Sequence, residues 1–229
     1  MDESKTSAPC GRIPVLTLLL IGGAVAVDLL PGCAPWLVYD RSAILSGEIW
    51  RMFTGHWVHF SFRHLVYDLV PLGLAGWIIE TRGQPGFGWF CALAPWAISA
   101  ALLVFEPQMR FCGGLSGLAT GALVFLALGG LSDPRPWRWV CGAVLLALAG
   151  KTLFELAAGR SVLDTLAGLP VVVSVTSHIA GAATAFFSYA VAAVCDRRKF
   201  CRKPCNFGPQ IIPLPIRNGT IPKSNWRRS

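Results

Sequence analysis

An all-α membrane bundle of six transmembrane helices is the fold class this sequence predicts, on three observations. Apolar residues make up 54% of the 229-residue chain and charged residues only 14%, against about 25% charged in soluble domains. The apolar residues come in long unbroken runs, which in lipid select helices whose backbone bonds close within the segment. The positive charge is lopsided: net charge is +8, and nine of the 20 Lys and Arg residues follow Cys195. A basic segment directly after a span reads as a cytoplasmic tail and not as a nucleic-acid arm.

The length accommodates about six spans of roughly 20 residues and little more. Residues 1–12 form a short N-terminal tail, 13–195 the membrane domain, and 196–229 a basic tail without periodicity, expected to be disordered. The first apolar run, 13–27, lacks a small-residue cleavage site and reads as a span, not a removed signal. Helix one is expected over 14–30, with Pro14 tolerated in the first turn. Residues 31–55 are too polar to span. With Trp36, Trp50 and the following Trp57 they read as a loop lying in the interface. Helix two is expected over 60–79, helix three over 87–105, helix four over 114–131, helix five over 137–156 and helix six over 169–194. The turn at 80–86, the break at 132–136 and a loop at 157–168 separate them. The eight cysteines show no paired metal spacing, and neither a metal nor a cofactor is expected.

Six spans place both termini on one side, and the basic tail makes that side cytoplasmic. Arg82, Arg135 and Arg138 then fall in cytoplasmic loops. Helices four and six both begin on the outer side. This brings two chemically special residues to a shared depth. Ser116 lies in Cys112-Gly113-Gly114-Leu115-Ser116-Gly117, where flanking glycines let backbone and substrate approach closely. His178 is expected two to three turns into helix six, on the order of 10–15 Å deep at 1.5 Å per residue. Gly113, Gly117 and Gly121 recur on one helix, and Gly181, Ala182 and Ala185 on the other. Small-residue stripes let helix axes come close, as a serine nucleophile and its imidazole base require. The plainer readings are a helix-packing motif for the glycines and a helix-tying hydrogen bond for the histidine. No acid for a third member stands out.

Ionisable residues inside spans are costly and mark function. His64 and Asp68 on helix two are the further candidates. The backbone N–H of Ser116 and the His64 side chain are natural donors to an oxyanion. Asp68 either stays neutral in an apolar site and donates, or orients His64. His56 is expected to be solvated at the interface. Lys151 and Glu155 read as an i,i+4 support pair.

Taken together, these residues resemble the rhomboid intramembrane serine proteases. The resemblance is carried by Glu48-Ile49-Trp50-Arg51 with Thr54, by His59 and His64 with a polar residue at 68, by Gly114-Leu115-Ser116-Gly117, and by His178 with Gly181. It spans about residues 47–187. It implies Ser116 as nucleophile, His178 as base, and His64, Asp68 and Gly114 on the oxyanion and substrate side. It also implies Glu48, Trp50, Arg51 and His59 as structural residues of a half-embedded first loop. Substrates would be single-span proteins entering from the bilayer. The enzyme would sit in a bacterial inner membrane with its active site open to the periplasm. Thr54-Gly55-His56 and Lys151-Thr152-Leu153-Phe154-Glu155-Leu156 are most similar to the rhombosortase branch. That branch implies secreted substrates bearing a C-terminal Gly-Gly, one span and a basic end. Two positions depart from the family pattern: Asp68 stands for the usual Asn, and Thr120 for an aromatic beneath the histidine. The alternatives are a general rhomboid protease with other substrates and a catalytically silent rhomboid-like protein that binds membrane helices. No internal repeat supports a transporter.

Overall fold

The structure is a computed structural model and describes residues 12–158 and 174–201. The sequence expectations for the N-terminal tail, most of the 157–168 loop, the first residues of helix six and the tail from 202 onward lie outside those residues.

The described residues are predominantly helical. α1 (Val15–Leu29) runs antiparallel to α5 (Phe62–Thr81). Their joint is a half-buried carboxylate: Glu80 accepts from the backbone N–H of Leu16 at 3.0 Å and of Thr17 at 2.7 Å, and from the Thr17 hydroxyl at 2.6 Å. The first N–H groups of a helix have no partner within it, so a carboxylate from a neighbouring helix caps α1 where its own sequence supplies Pro14. Gly76 on α5 lies so close to Thr17 that a Cβ there would collide with it.

Between α1 and α5, the expected interfacial loop is folded into short elements. These are α2 (Ala34–Leu37), β1 (Tyr39–Asp40), α3 (Arg41–Leu45), α4 (Arg51–Thr54) and a 3-10 turn, Gly55–Trp57. The Asp40 side chain caps α3 through the N–H groups of Ser42 and Ala43. Arg51, buried, donates to Glu48 at 2.7 Å and to the carbonyls of Pro35 and Val38 at 2.8 and 3.0 Å. Thr54 donates to Leu37 O. Trp50 is exposed, its indole reaching Trp36 O. The segment holds its shape because one guanidinium ties the 48–51 stretch to the 35–38 stretch.

α6 (Phe87–Phe105), α7 (Ser116–Gly130), α8 (Trp137–Ala158) and α9 (Val175–Cys201) complete the helices. β2 (Phe111–Cys112) pairs antiparallel with β1, Tyr39 opposite Cys112 and Asp40 opposite Phe111. This small ribbon ties the first loop to the chain entering α7. Among the described residues α6, α8 and the 175–196 part of α9 are long and apolar enough to cross a membrane, and α1 and α7 are shorter apolar helices. α9 packs most extensively against α7 and α6, and α5 against α7. Phe90 and Phe125 are fully buried between them, with Phe87 and Tyr189 around. α8 stands apart, with only 11% of its apolar window buried.

The ends of helix six differ from expectation. Ser174 caps α9, accepting from the N–H of Ser177 at 3.2 Å and donating to Glu106. The helix therefore starts at Val175, and it continues past 194 through the basic residues to Cys201.

Candidate active site

The chain approaches α7 through two glycines that only glycine can occupy. Gly114 has φ of +112°, and a Cβ there would fall 2.7 Å from His64 Nε2 and 2.9 Å from Asp68 Oδ2. A Cβ on Gly113 would fall 2.6 Å from Val58 O. Gly113 thus lies against the first loop and outside the helix seam where the four-residue stripe placed it. Ser116 is the first residue of α7. The first bond into the turn runs from the Ala119 N–H to Leu115 O at 2.8 Å. The N–H groups of Ser116 and Gly117 therefore have no carbonyl within the helix and point out of its positive end.

Ser116 is half-buried, and His178 is buried and is the fourth residue of α9. It therefore lies in the first turn of its helix. The expected depth of two to three turns was too great because the Ser174 cap starts α9 later than the hydropathy pattern suggests. Between the two residues the helices meet backbone to backbone. A Cβ on Gly117 would fall 2.9 Å from Ser177 O, and one on Gly121 2.6 Å from Gly181 O. One on Gly181 would collide with the Gly117 carbonyl. The glycine seam read from the sequence is present at Gly117, Gly121 and Gly181.

A cleft of about 20 Å³ opens here, lined by Ser116 and Gly117, by Ser174 and Ser177 of the facing strand of chain, and by His56, His64 and Gly114. That volume accommodates roughly one water. No hydrogen bond joins Ser116 to His178. The contacts of His178 among the described residues use Nδ1, to Lys151 Nζ at 3.2 Å and Glu155 Oε2 at 3.4 Å. Catalytic hydrogen bonds are often long before substrate is bound.

On the other side of Ser116, Asp68 is buried and lies between two imidazoles, 3.2 Å from His59 Nε2 and 3.4 Å from His64 Nε2. His59 faces the Trp57 carbonyl with Nδ1 at 3.1 Å, and the Leu115 N–H approaches its Nε2 at 3.4 Å. Asp68 thus contacts both imidazoles through one oxygen, Oδ2. His56 is not solvated. It is buried, with Nε2 3.0 Å from Pro95 O and Nδ1 3.4 Å from Gly114 O, and burial pushes its imidazole below the usual value. A histidine next to tryptophan in a polar stretch reads as interfacial until the fold tucks that stretch under α6 and α7. Thr120 lines an apolar groove toward α8, so no ring lies beneath His178 from that position. Lys151 and Glu155, read from the sequence as an i,i+4 support pair, are such a pair and also touch His178 directly. Two ionisable residues near the C-terminal end of a mostly apolar helix were the available signal.

The rhomboid-domain family model matches residues 46–194, nearly two thirds of the sequence. The chain belongs to the rhomboid family. It is 31% identical over 149 residues to proteins named Rhomboid protease GlpG from Salmonella newport (strain SL254) and Salmonella typhimurium (strain LT2), covering 63% of this chain and 52% of theirs. The namesake in Salmonella choleraesuis (strain SC-B67) matches at 31% over 118 residues, 49% of this chain and 41% of its own. The chain thus spans about half the length of the curated relatives it matches. The rhomboid match includes the later part of the first loop, every residue that lines the cleft, and His178.

Proposed function

We propose that this rhomboid is a serine endopeptidase that cuts membrane-anchored proteins with Ser116 as nucleophile and His178 as base. The observation that carries this is the placement of Ser116 and His178 in the first turns of two helices whose glycines are in backbone contact, with Ser116 lining a small cleft at that seam. In the reaction, His178 takes the Ser116 hydroxyl proton as Oγ attacks the scissile carbonyl. The resulting oxyanion is met by the free N–H groups at the start of α7 and by His64, which as an imidazolium donates one N–H to the oxyanion and the other to Asp68. His178 then protonates the departing amine. A water, deprotonated by the same ring, releases the acyl group.

In this reading α1, α5, α6, α7, α8 and α9 are six spans in a bacterial inner membrane. The termini are cytoplasmic and the cleft opens to the periplasm. Substrates carry one span and, as in the rhombosortase branch, a C-terminal Gly-Gly signal. The cleft's narrowness and its glycine walls favour such a substrate, because a glycine pair unwinds a helix top and exposes an unhindered carbonyl. Ser116→Ala abolishes cleavage of a Gly-Gly reporter in membranes while the protein remains folded; unchanged cleavage ends the proposal. A reporter without Gly-Gly that is cut equally well assigns broader substrates. The missing Ser116–His178 hydrogen bond is the observation on the side of a silent helix-binding protein. Labelling of Ser116 by a fluorophosphonate decides against that reading.

A further inference from the structure

The proposed chemistry leaves two ionisable side chains of α8 without a role. Lys151 Nζ lies 2.8 Å from Glu155 Oε2, and both approach the same ring nitrogen, His178 Nδ1, at 3.2 and 3.4 Å. Glu155 is wholly buried, whereas the Lys151 side chain is 28% exposed. An i,i+4 pair serving only its own helix has no need to bury its carboxylate against another. α6 and α7, which also pack on α9, carry no Asp, Glu, Lys or Arg, and Glu106, just after α6, is bound to Ser174.

A neutral imidazole has one N–H, so the two neighbours of Nδ1 compete. If Lys151 donates to a bare Nδ1, the hydrogen sits on Nε2, and the ring cannot accept the Ser116 proton. If Nδ1 carries the hydrogen, it donates to Glu155, and Nε2 is the bare, basic nitrogen. Lys151 has exposure to complete its donor set elsewhere, while a buried carboxylate gains from each added donor. When the Ser116 proton reaches Nε2, the ring becomes an imidazolium facing Glu155. The attraction is then greater than in the ground state, which is the kind of interaction that raises rate.

We propose that Glu155, paired with Lys151, is a positioning residue that accepts a hydrogen bond from His178 Nδ1–H and so presents Nε2 to Ser116. This rests on the Ser116–His178 reading. Ser116 Oγ–H is transferred to Nε2 and returned to the leaving amine, and the Nδ1 proton never leaves the ring. At 3.4 Å the contact is longer than a charge-assisted hydrogen bond, and substrate binding shortens it.

The test uses the full chain in lipid nanodiscs with 15N-labelled histidine. The ring nitrogens of wild-type His178 are expected to report a protonated Nδ1 and a bare Nε2; the reverse pattern overturns the proposal without any variant. Glu155→Gln is expected to lower kcat on the order of 10²-fold or more, with KM within about threefold, and to move the ring proton toward Nε2. Retention of kcat within about threefold, or unchanged ring signals, overturns it. Lys151→Met/Glu155→Gln, which strands no charge, is expected to stay as slow as Glu155→Gln. Recovery in the double variant means that the unpaired lysine caused the loss, and it sinks the proposal. Ser116→Ala run in parallel separates the two readings: cleavage by that variant removes the protease reading, while the ring signals still judge the contact between Glu155 and His178.

Discussion

The two sides of His178 are built differently. Toward α7 the contact is backbone on glycine, with no room for a methyl group at Gly117, Gly121 or Gly181. Toward α8 it is a lysine, a glutamate and an open apolar groove of about 490 Å³, lined by Thr120, Leu148, Thr152 and Ile179 among others. Gly142 and Gly150 on α8 have nothing within 4 Å of where a Cβ would stand. The close-packed side fixes where the hydroxyl and the imidazole sit. The loosely packed side touches only the far nitrogen of the ring, so it is suited to setting protonation without setting position. Rigidity and tuning are supplied by different helices.

Substitutions test that division. The largest effect is expected at the seam: Gly181→Val drives side-chain atoms into the Gly117 carbonyl and costs about 3 kcal/mol or more, read as loss of folded protein by thermal unfolding in detergent. A Gly181→Val protein as stable as wild type breaks the comparison. Next comes Gly114→Ala. It forces an alanine to φ of +112° and pushes on His64 and Asp68, with an expected loss of about 1–3 kcal/mol and of reporter cleavage. Ser174→Ala removes the cap of α9 and is expected to cost about 1 kcal/mol and to lower kcat more than it raises KM, since the first turn carries His178. Acidification gives a smaller, graded effect through His56. Its folded pKa is depressed, so its contribution is present above the unfolded value, about 6.5, and is lost as pH falls through the lower folded value. The unfolding temperature should therefore fall below that pH, and His56→Gln should flatten the slope. The smallest effect is at α8: Gly150→Ala is expected to change stability by less than about 1 kcal/mol and leave cleavage intact.

Much of the site was legible because it is encoded in spacing. Glycines at 117, 121 and 181 must face something close, and Ser116 and His178 sit beside them, so the seam and its chemistry follow from the helix period. Three features were not legible. The start of α9 depends on Ser174, whose capping role competes with an apolar run that extends through it. The burial of His56 depends on a first loop folded by Arg51, whose two carbonyl partners, Pro35 and Val38, lie 16 and 13 residues away and give no periodic signal. The meeting of Glu155 with His178 depends on how α8 is rotated about its axis, and an i,i+4 pair accounts for itself too readily to prompt the question.

The cleft beside Ser116 holds about one solvent molecule. Under the proposed Ser116 chemistry, the first product has to leave before a water can take its place, and a small amine able to enter that space competes with water for the same position.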